Sequence, residues 1–175
     1  MDKVKIMIDS ENNKVVVIPA VIFKNKQNID WNEVEVYLQK YIGSIIEIIE
    51  TKDIIHIGKE SIDEYAGSNY TAKLRGGRAK AKANASQGLS EMIKIAKDKR
   101  FILNKKEKHS SIAAQGWYYF TTRFAIPIYE NENKTEVYNI YRGCLVINCT
   151  KHGTKYFYDL VDIKKEASTP LKTIQ

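Results

Sequence analysis

Between Asn104 and Phe124 the chain reads NKKEKHSSIAAQGWYYFTTRF, a basic cluster, one histidine and a run of aromatics closed by an arginine. These residue types could cleave RNA without a metal. Such cleavage needs a base for the 2′-OH, an acid for the leaving 5′-oxygen, and cations for the charge on phosphorus. His109 titrates near neutrality and can serve either proton transfer. Arg123 can hold a phosphate through two parallel bonds, whereas Lys105, Lys106 and Lys108 act as point charges. Trp117 and Tyr119 offer ring faces on which unpaired bases stack. The same stretch also reads as a surface histidine beside a solvated basic loop. Residue types alone leave both readings open.

Few other sites compete. The chain has no Walker loop, GxGxxG, HExxH or paired CxxC. His56 alternates with Ile55 and Ile57 as an exposed strand residue would, and His152 sits in the turn sequence KHGTK. With His109 they are too scattered for a transition-metal site, so neither metal nor cofactor is expected. Cys144 and Cys149 are an odd number of residues apart on one expected strand, hence on opposite faces and unable to pair readily. They read as reduced thiols. Near the C-terminus, Lys164, Glu166 and Ser168 would share the outer face of a strand that Thr169-Pro170 should end. A face of that kind is also what a solvated sheet edge looks like.

The elements that must carry these residues are legible in outline. Lys3 to Asp9 and Lys14 to Phe23 read as strands joined by the turn Ser10–Asn13. Asp30 is placed as the N-cap of a helix from Trp31 to Tyr41, with Glu33 at the reciprocal capping position. Two short β-rich pieces follow, Ile45 to Ile49 and Ile54 to Ile57. Asn69 to Gln87 has helical composition interrupted by Gly76-Gly77, which suggests a kink or a close approach. Its cations Lys73, Arg75, Arg78, Lys80 and Lys82 are spread over several faces. Glu91 to Lys99 is expected as a second amphipathic helix. Trp117 to Phe120, Phe124 to Tyr129, Val137 to Asn148 and Lys155 to Ile163 are expected as strands, with ENENK and KHGTK as hairpin turns. Helices followed by such a meander predict an α+β fold with helices on one sheet face.

Charge divides the chain in the same way. Residues 1–58 hold 7 basic and 9 acidic residues, 59–109 hold 13 and 6, and 110–175 hold 8 and 6. The central third therefore carries a charge equal to the net +7 of the whole chain. Such a field attracts polyanions, although a solvated helix face would look the same. A small acidic α+β unit over 1–58 and a basic unit over 59–175 are expected. The N-terminus lacks the layout of a secretion signal and no apolar run reaches membrane-spanning length, which together predict a cytoplasmic protein without membrane contact.

Four segments are also familiar together and in order. GKESIDEYAGSNYTAKL, RAKAKANASQGLSEMIKIA, NKKEKHSSIAAQGWYYFTTRFAIPIY and YRGCLVINCTKHGTKYFYDLVDIKKEASTPL resemble a domain of proteins from Firmicutes phages and conjugative elements. That family is described as a large-polyvalent-protein-associated domain, similar to the barnase/colicin/RelE-like nuclease superfamily. The resemblance runs from about Trp31 to Leu171. It implies helices before an antiparallel sheet whose open face cleaves RNA without metal. It also implies catalytic positions at His109, Lys108, Arg123, Glu166 and Ser168. RNA contacts would then fall at Lys105, Lys106, Trp117, Tyr119 and Lys164. Separately, from charge, the basic segment with Lys73, Arg75, Arg78 and Lys80 is expected to suit a nucleic-acid groove. Tyr119 and Thr121 stand where family members are expected to show an arginine and an aspartate. In size and type the chain is similar to type II anti-CRISPR proteins that shorten the guide RNA of the effector nuclease. Guide RNA held by a CRISPR effector is the implied partner. The rival expectations are an inert nucleic-acid- or effector-binding inhibitor and an accessory protein of the mobile element.

Overall fold

Asp9 builds the first turn. Its carboxylate accepts from the backbone N–H groups of Glu11 and Asn13, each at 2.9 Å, while Asn12 takes a left-handed φ of 63°. The turn joins the antiparallel strands β1 (Lys5–Ile8) and β2 (Lys14–Val17). The computed structural model describes residues 3–24, 28–104, 112–128, 137–169 and 171–174.

Asp30 caps α1 (Trp31–Leu38) by accepting from the N–H of Asn32 at 3.0 Å. A 3-10 turn, Gln39–Tyr41, follows, and then the hairpin of β3 (Ile45–Glu47) and β4 (Ile54–His56). α2 (Lys59–Gly67), which is not among the expected helices, is tied to the sheet by buried Ser61. The Ser61 hydroxyl accepts from Gly58 N–H and donates to the carbonyl of Phe157. The glycine pair does not kink a helix. α3 (Asn69–Lys73) ends before it, and Gly76, at φ 59°, opens a new helix, α4 (Gly76–Ala85). Four alanines share the buried positions of α4 with Lys82 and Asn84, and Asn84 clamps the extended segment through Ile22 and Phe23.

α5 (Leu89–Lys94) stops earlier than expected, and Lys97–Ile102 is a strand, β5. Its charged side chains suit an exposed sheet edge, and pairing with β6 supplies the backbone bonds that a helix would otherwise make. The expected break within Trp117–Tyr129 is also absent: β6 (Gly116–Pro127) runs through it. β7 (Tyr138–Cys149) and β8 (Lys155–Thr169) complete an antiparallel meander. The β7–β8 turn is closed by Thr150 and by Gly153 at φ 83°. The turn expected at ENENK lies outside the described residues. β9 (Lys172–Thr173) returns to pair with β1.

The fold is α+β, as expected. Among the described residues one mixed sheet of nine strands has the order β3-β4-β8-β7-β6-β2-β1-β9, with β5 also on β6. β2 runs parallel to β6, and β4 runs parallel to β8. The change of charge at residue 58 is not a boundary between two cores. Strands from the first 58 residues extend both sides of the meander, and one apolar cluster joins Val16, Leu38 and Ile55 to Phe120, Phe124, Leu145 and Leu160. The helices cover that face of the sheet, and each fully buried aliphatic or aromatic side chain there contributes roughly 1.5–3 kcal/mol. The opposite face has a smaller apolar cluster, Val15, Val17, Ala125 and Ile140, packed against Leu171.

Candidate functional site

β6 alternates between these faces. Phe120, Thr122 and Phe124 point into the helical layer, where the Thr122 hydroxyl donates to the carbonyl of Met92 at 2.9 Å. Trp117, Tyr119, Thr121 and Arg123 therefore lie on the other face. Their partners on β7 are Asn148, Val146, Cys144 and Arg142. Cys144 and Cys149 accordingly fall on opposite faces, and both are free thiols.

β8 joins this face through an irregularity that alternation cannot show. Cys144 pairs with Val161 and Arg142 with Lys164, so two steps on β7 match three on β8. The extra residue is at Asp162, whose φ of 52° marks the bulge. Strict alternation would set Val161 and Lys164 on opposite faces, but the bulge puts them on the same one. Arg123, Arg142 and Lys164 consequently stand side by side across β6, β7 and β8. Glu166 lies at a second register shift and reaches over β7, so that its Oε1 accepts from Arg123 Nε at 2.8 Å. The arginine side chain is 11% exposed and the glutamate 31%. Arg142 and Lys164 are exposed.

Arg100 adds a fourth cation to this face. It pairs with Tyr119 and lies 3.8 Å from the Cys144 sulfur. Burial pushes the Cys144 thiol above its usual range, although nearby Arg100 pulls it down. Burial also raises the Tyr119 phenol, with the Cys144 thiol adding to the effect. Both groups are therefore neutral hydrogen-bonding partners at neutral pH. Trp117 sets its ring edge-on to Tyr158, with centroids 4.9 Å apart.

Of the expected site residues, Trp117, Tyr119, Arg123, Lys164 and Glu166 share this one face. Lys73, Arg75, Arg78 and Lys80 do not join them: they are exposed on α3, at the start of α4 and along α4, in the helical layer. Lys82 departs further from the basic-segment reading. It is fully buried, and its Nζ donates to Asp159 Oδ1 at 2.6 Å and Thr71 Oγ1 at 2.7 Å. Lys105, Lys106, Lys108 and His109 lie outside the described residues, as does the side chain of Ser168. His152 is an exposed turn residue, while half-buried His56 packs against the ring of Tyr156, with centroids 5.4 Å apart.

Sequence reasoning missed Arg100 and Arg142. Arg142 was findable, because it follows buried Tyr141 on a strand and must face the other way. Arg100 lay just past the end of the expected helix, Glu91 to Lys99, in a stretch given no element, and it belongs to β5. Among the described residues no helix is long and apolar enough to cross a membrane, and no group of three or more His, Cys, Asp or Glu side chains is arranged to hold a metal ion. No family model, curated protein or solved structure matches the chain.

Proposed function

We propose that this chain is a metal-independent endoribonuclease of a mobile genetic element, with a barnase/RelE-like active face. The observation that carries the reading is the row Arg123–Arg142–Lys164 with Glu166 hydrogen-bonded to its first member. Three adjacent cations suit the charge that develops on a phosphorane, and a carboxylate held among them suits proton abstraction. In this mechanism Glu166 takes the 2′-OH proton as that oxygen attacks phosphorus. The bond from phosphorus to the 5′-oxygen breaks, and His109 supplies the proton to the departing oxygen. The products are a 2′,3′-cyclic phosphate and a 5′-hydroxyl. Lys108 and Ser168 add a charge and a hydroxyl to the phosphate, and Trp117 and Tyr119 border the bases.

Guide RNA bound to a CRISPR effector is the proposed substrate, because a restricted target explains how a host cell tolerates the enzyme. Purified protein is incubated in EDTA with guide RNA, with and without effector. Cyclic-phosphate products are expected, together with their loss in His109→Ala and Arg123→Ala. Intact RNA in every condition, or unchanged cleavage by both variants, would overturn the proposal.

A second reading is an inert inhibitor that binds nucleic acid or the effector, and the exposed cations Lys73, Arg78 and Lys80 favour it. It requires salt-sensitive binding without product. It also requires that charge reversal at Arg75 and Arg78 weaken inhibition more than His109→Ala does.

A further inference from the structure

The sheet has a gap beside the cationic row. β5 leaves β6 at the Lys97–Thr121 pair, and β2 takes up the same edge at the Val16–Phe124 pair. Thr122 and Arg123 lie between, with neither neighbour. The beginnings of two strands converge on this gap, since Lys14 opens β2 and Lys97 opens β5. The end of α5 closes it from below, fixed by the hydrogen bond from Thr122 to Met92. What remains is a cleft of about 310 Å³, at the small end of ligand sites.

Its lining is basic. Lys14, Lys94, Lys97 and Arg123 face Glu50 as the one acidic residue among those lining it, and Thr121 adds a hydroxyl. Lys97 is held in place, with its Nζ donating to Asn13 Oδ1 at 2.7 Å. A group of this charge and size is suited to a phosphate and its sugar rather than to a base or an apolar ligand. Arg123 belongs both to the cleft wall and to the row across β6, β7 and β8. One strand could therefore pass from the row into the cleft without leaving cations.

We propose that this cleft is a second phosphate subsite, which takes a phosphodiester of single-stranded RNA flanking the one held on the open face. The inference rests on the proposed function for the identity of the polyanion. Its cations are otherwise independent of Glu166, Arg142 and Lys164.

The test has two arms. In the first, fluorescence anisotropy reads the affinity of a single-stranded RNA oligonucleotide for the full chain and for Lys94→Gln/Lys97→Gln over a range of salt. The double variant should bind about tenfold more weakly, and the salt slope should fall by about 0.7 for each lysine removed. In the second, amide NMR follows titration with inorganic phosphate. Shifts are expected at Asn13, Lys97 and Thr121, and they should vanish in the double variant, whose other resonances report an intact fold. RNA cleavage with unchanged affinity and slope in the double variant overturns the subsite and leaves the proposed function standing. Phosphate shifts at these residues without RNA binding overturn the RNA assignment and the proposed function, leaving a plain anion site. Absence of both effects overturns the subsite altogether.

Discussion

Arg123 Nε donates to Glu166 Oε1 at 2.8 Å, linking β6 to β8 over the strand between them. The pair is partly open to solvent, so its contribution to stability is at most about 1 kcal/mol. Its effect on chemistry should be larger. Glu166→Gln keeps an acceptor for Arg123 but removes the carboxylate proposed as the base. Single-turnover cleavage should fall by about 100-fold or more, while RNA affinity holds or tightens because a negative charge has gone. Full cleavage by this variant would remove Glu166 from the mechanism.

The Lys82–Asp159 pair should behave in the opposite way, with a large effect on stability. Burial pushes the Lys82 ammonium down and the Asp159 carboxyl up, against the attraction of the pair. Lys82→Met leaves Asp159 without its cation in the core and should cost about 3–5 kcal/mol in urea denaturation. Lys82→Met with Asp159→Leu should recover most of that loss. A double variant no more stable than the single would show that the hydrogen bonds to Thr71 and the backbone matter more than charge.

Asp53 offers a test in acid. Burial raises its carboxyl, but hydrogen bonds from Lys99 and Thr51 and the charges of Lys99 and Lys155 outweigh burial and hold it below 3.8. A folded-state value below the unfolded one gives stability that is present above 3.8 and lost as pH falls through the folded value. Asp53→Asn should therefore melt lower at neutral pH and lose less on acidification. Parallel acid limbs for the two proteins would show that Asp53 makes no such contribution.

Two glycines should respond in opposite directions to alanine. Gly116 takes φ 134°, and a Cβ there would meet the backbone carbonyl of Ile102 at 2.6 Å. Neither strand can yield easily, so Gly116→Ala should cost more than about 1 kcal/mol. Gly67 ends α2 with open space around it, and Gly67→Ala should be neutral or stabilising by up to about 1 kcal/mol. Thermal melts of both variants decide the point.

Local features were legible wherever one or two residues determine the backbone. The Asp30 cap, the turn around Asn12 and the KHGTK hairpin all belong to this group. β5 was misread because its charges continue the pattern of α5, and only the presence of β6 makes it a strand. Lys82 could not be told from Lys80 by type or neighbourhood. Its partner Asp159 lies 77 residues away, and the pair exists only once α4 lies on β8.

The sequence by itself determined the α+β class, the alternating aromatic strand and the concentration of positive charge, because these depend on propensity, period and composition. Tertiary structure decided which cations stand together. The bulge at Asp162 turned Lys164 toward Arg142, the register of β6 with β7 set Arg142 against Arg123, and the change of partner along β6 opened the cleft beside them. Strand register and bulges are set by packing between distant segments, so a one-residue shift that no local pattern announces can assemble or disperse such a site.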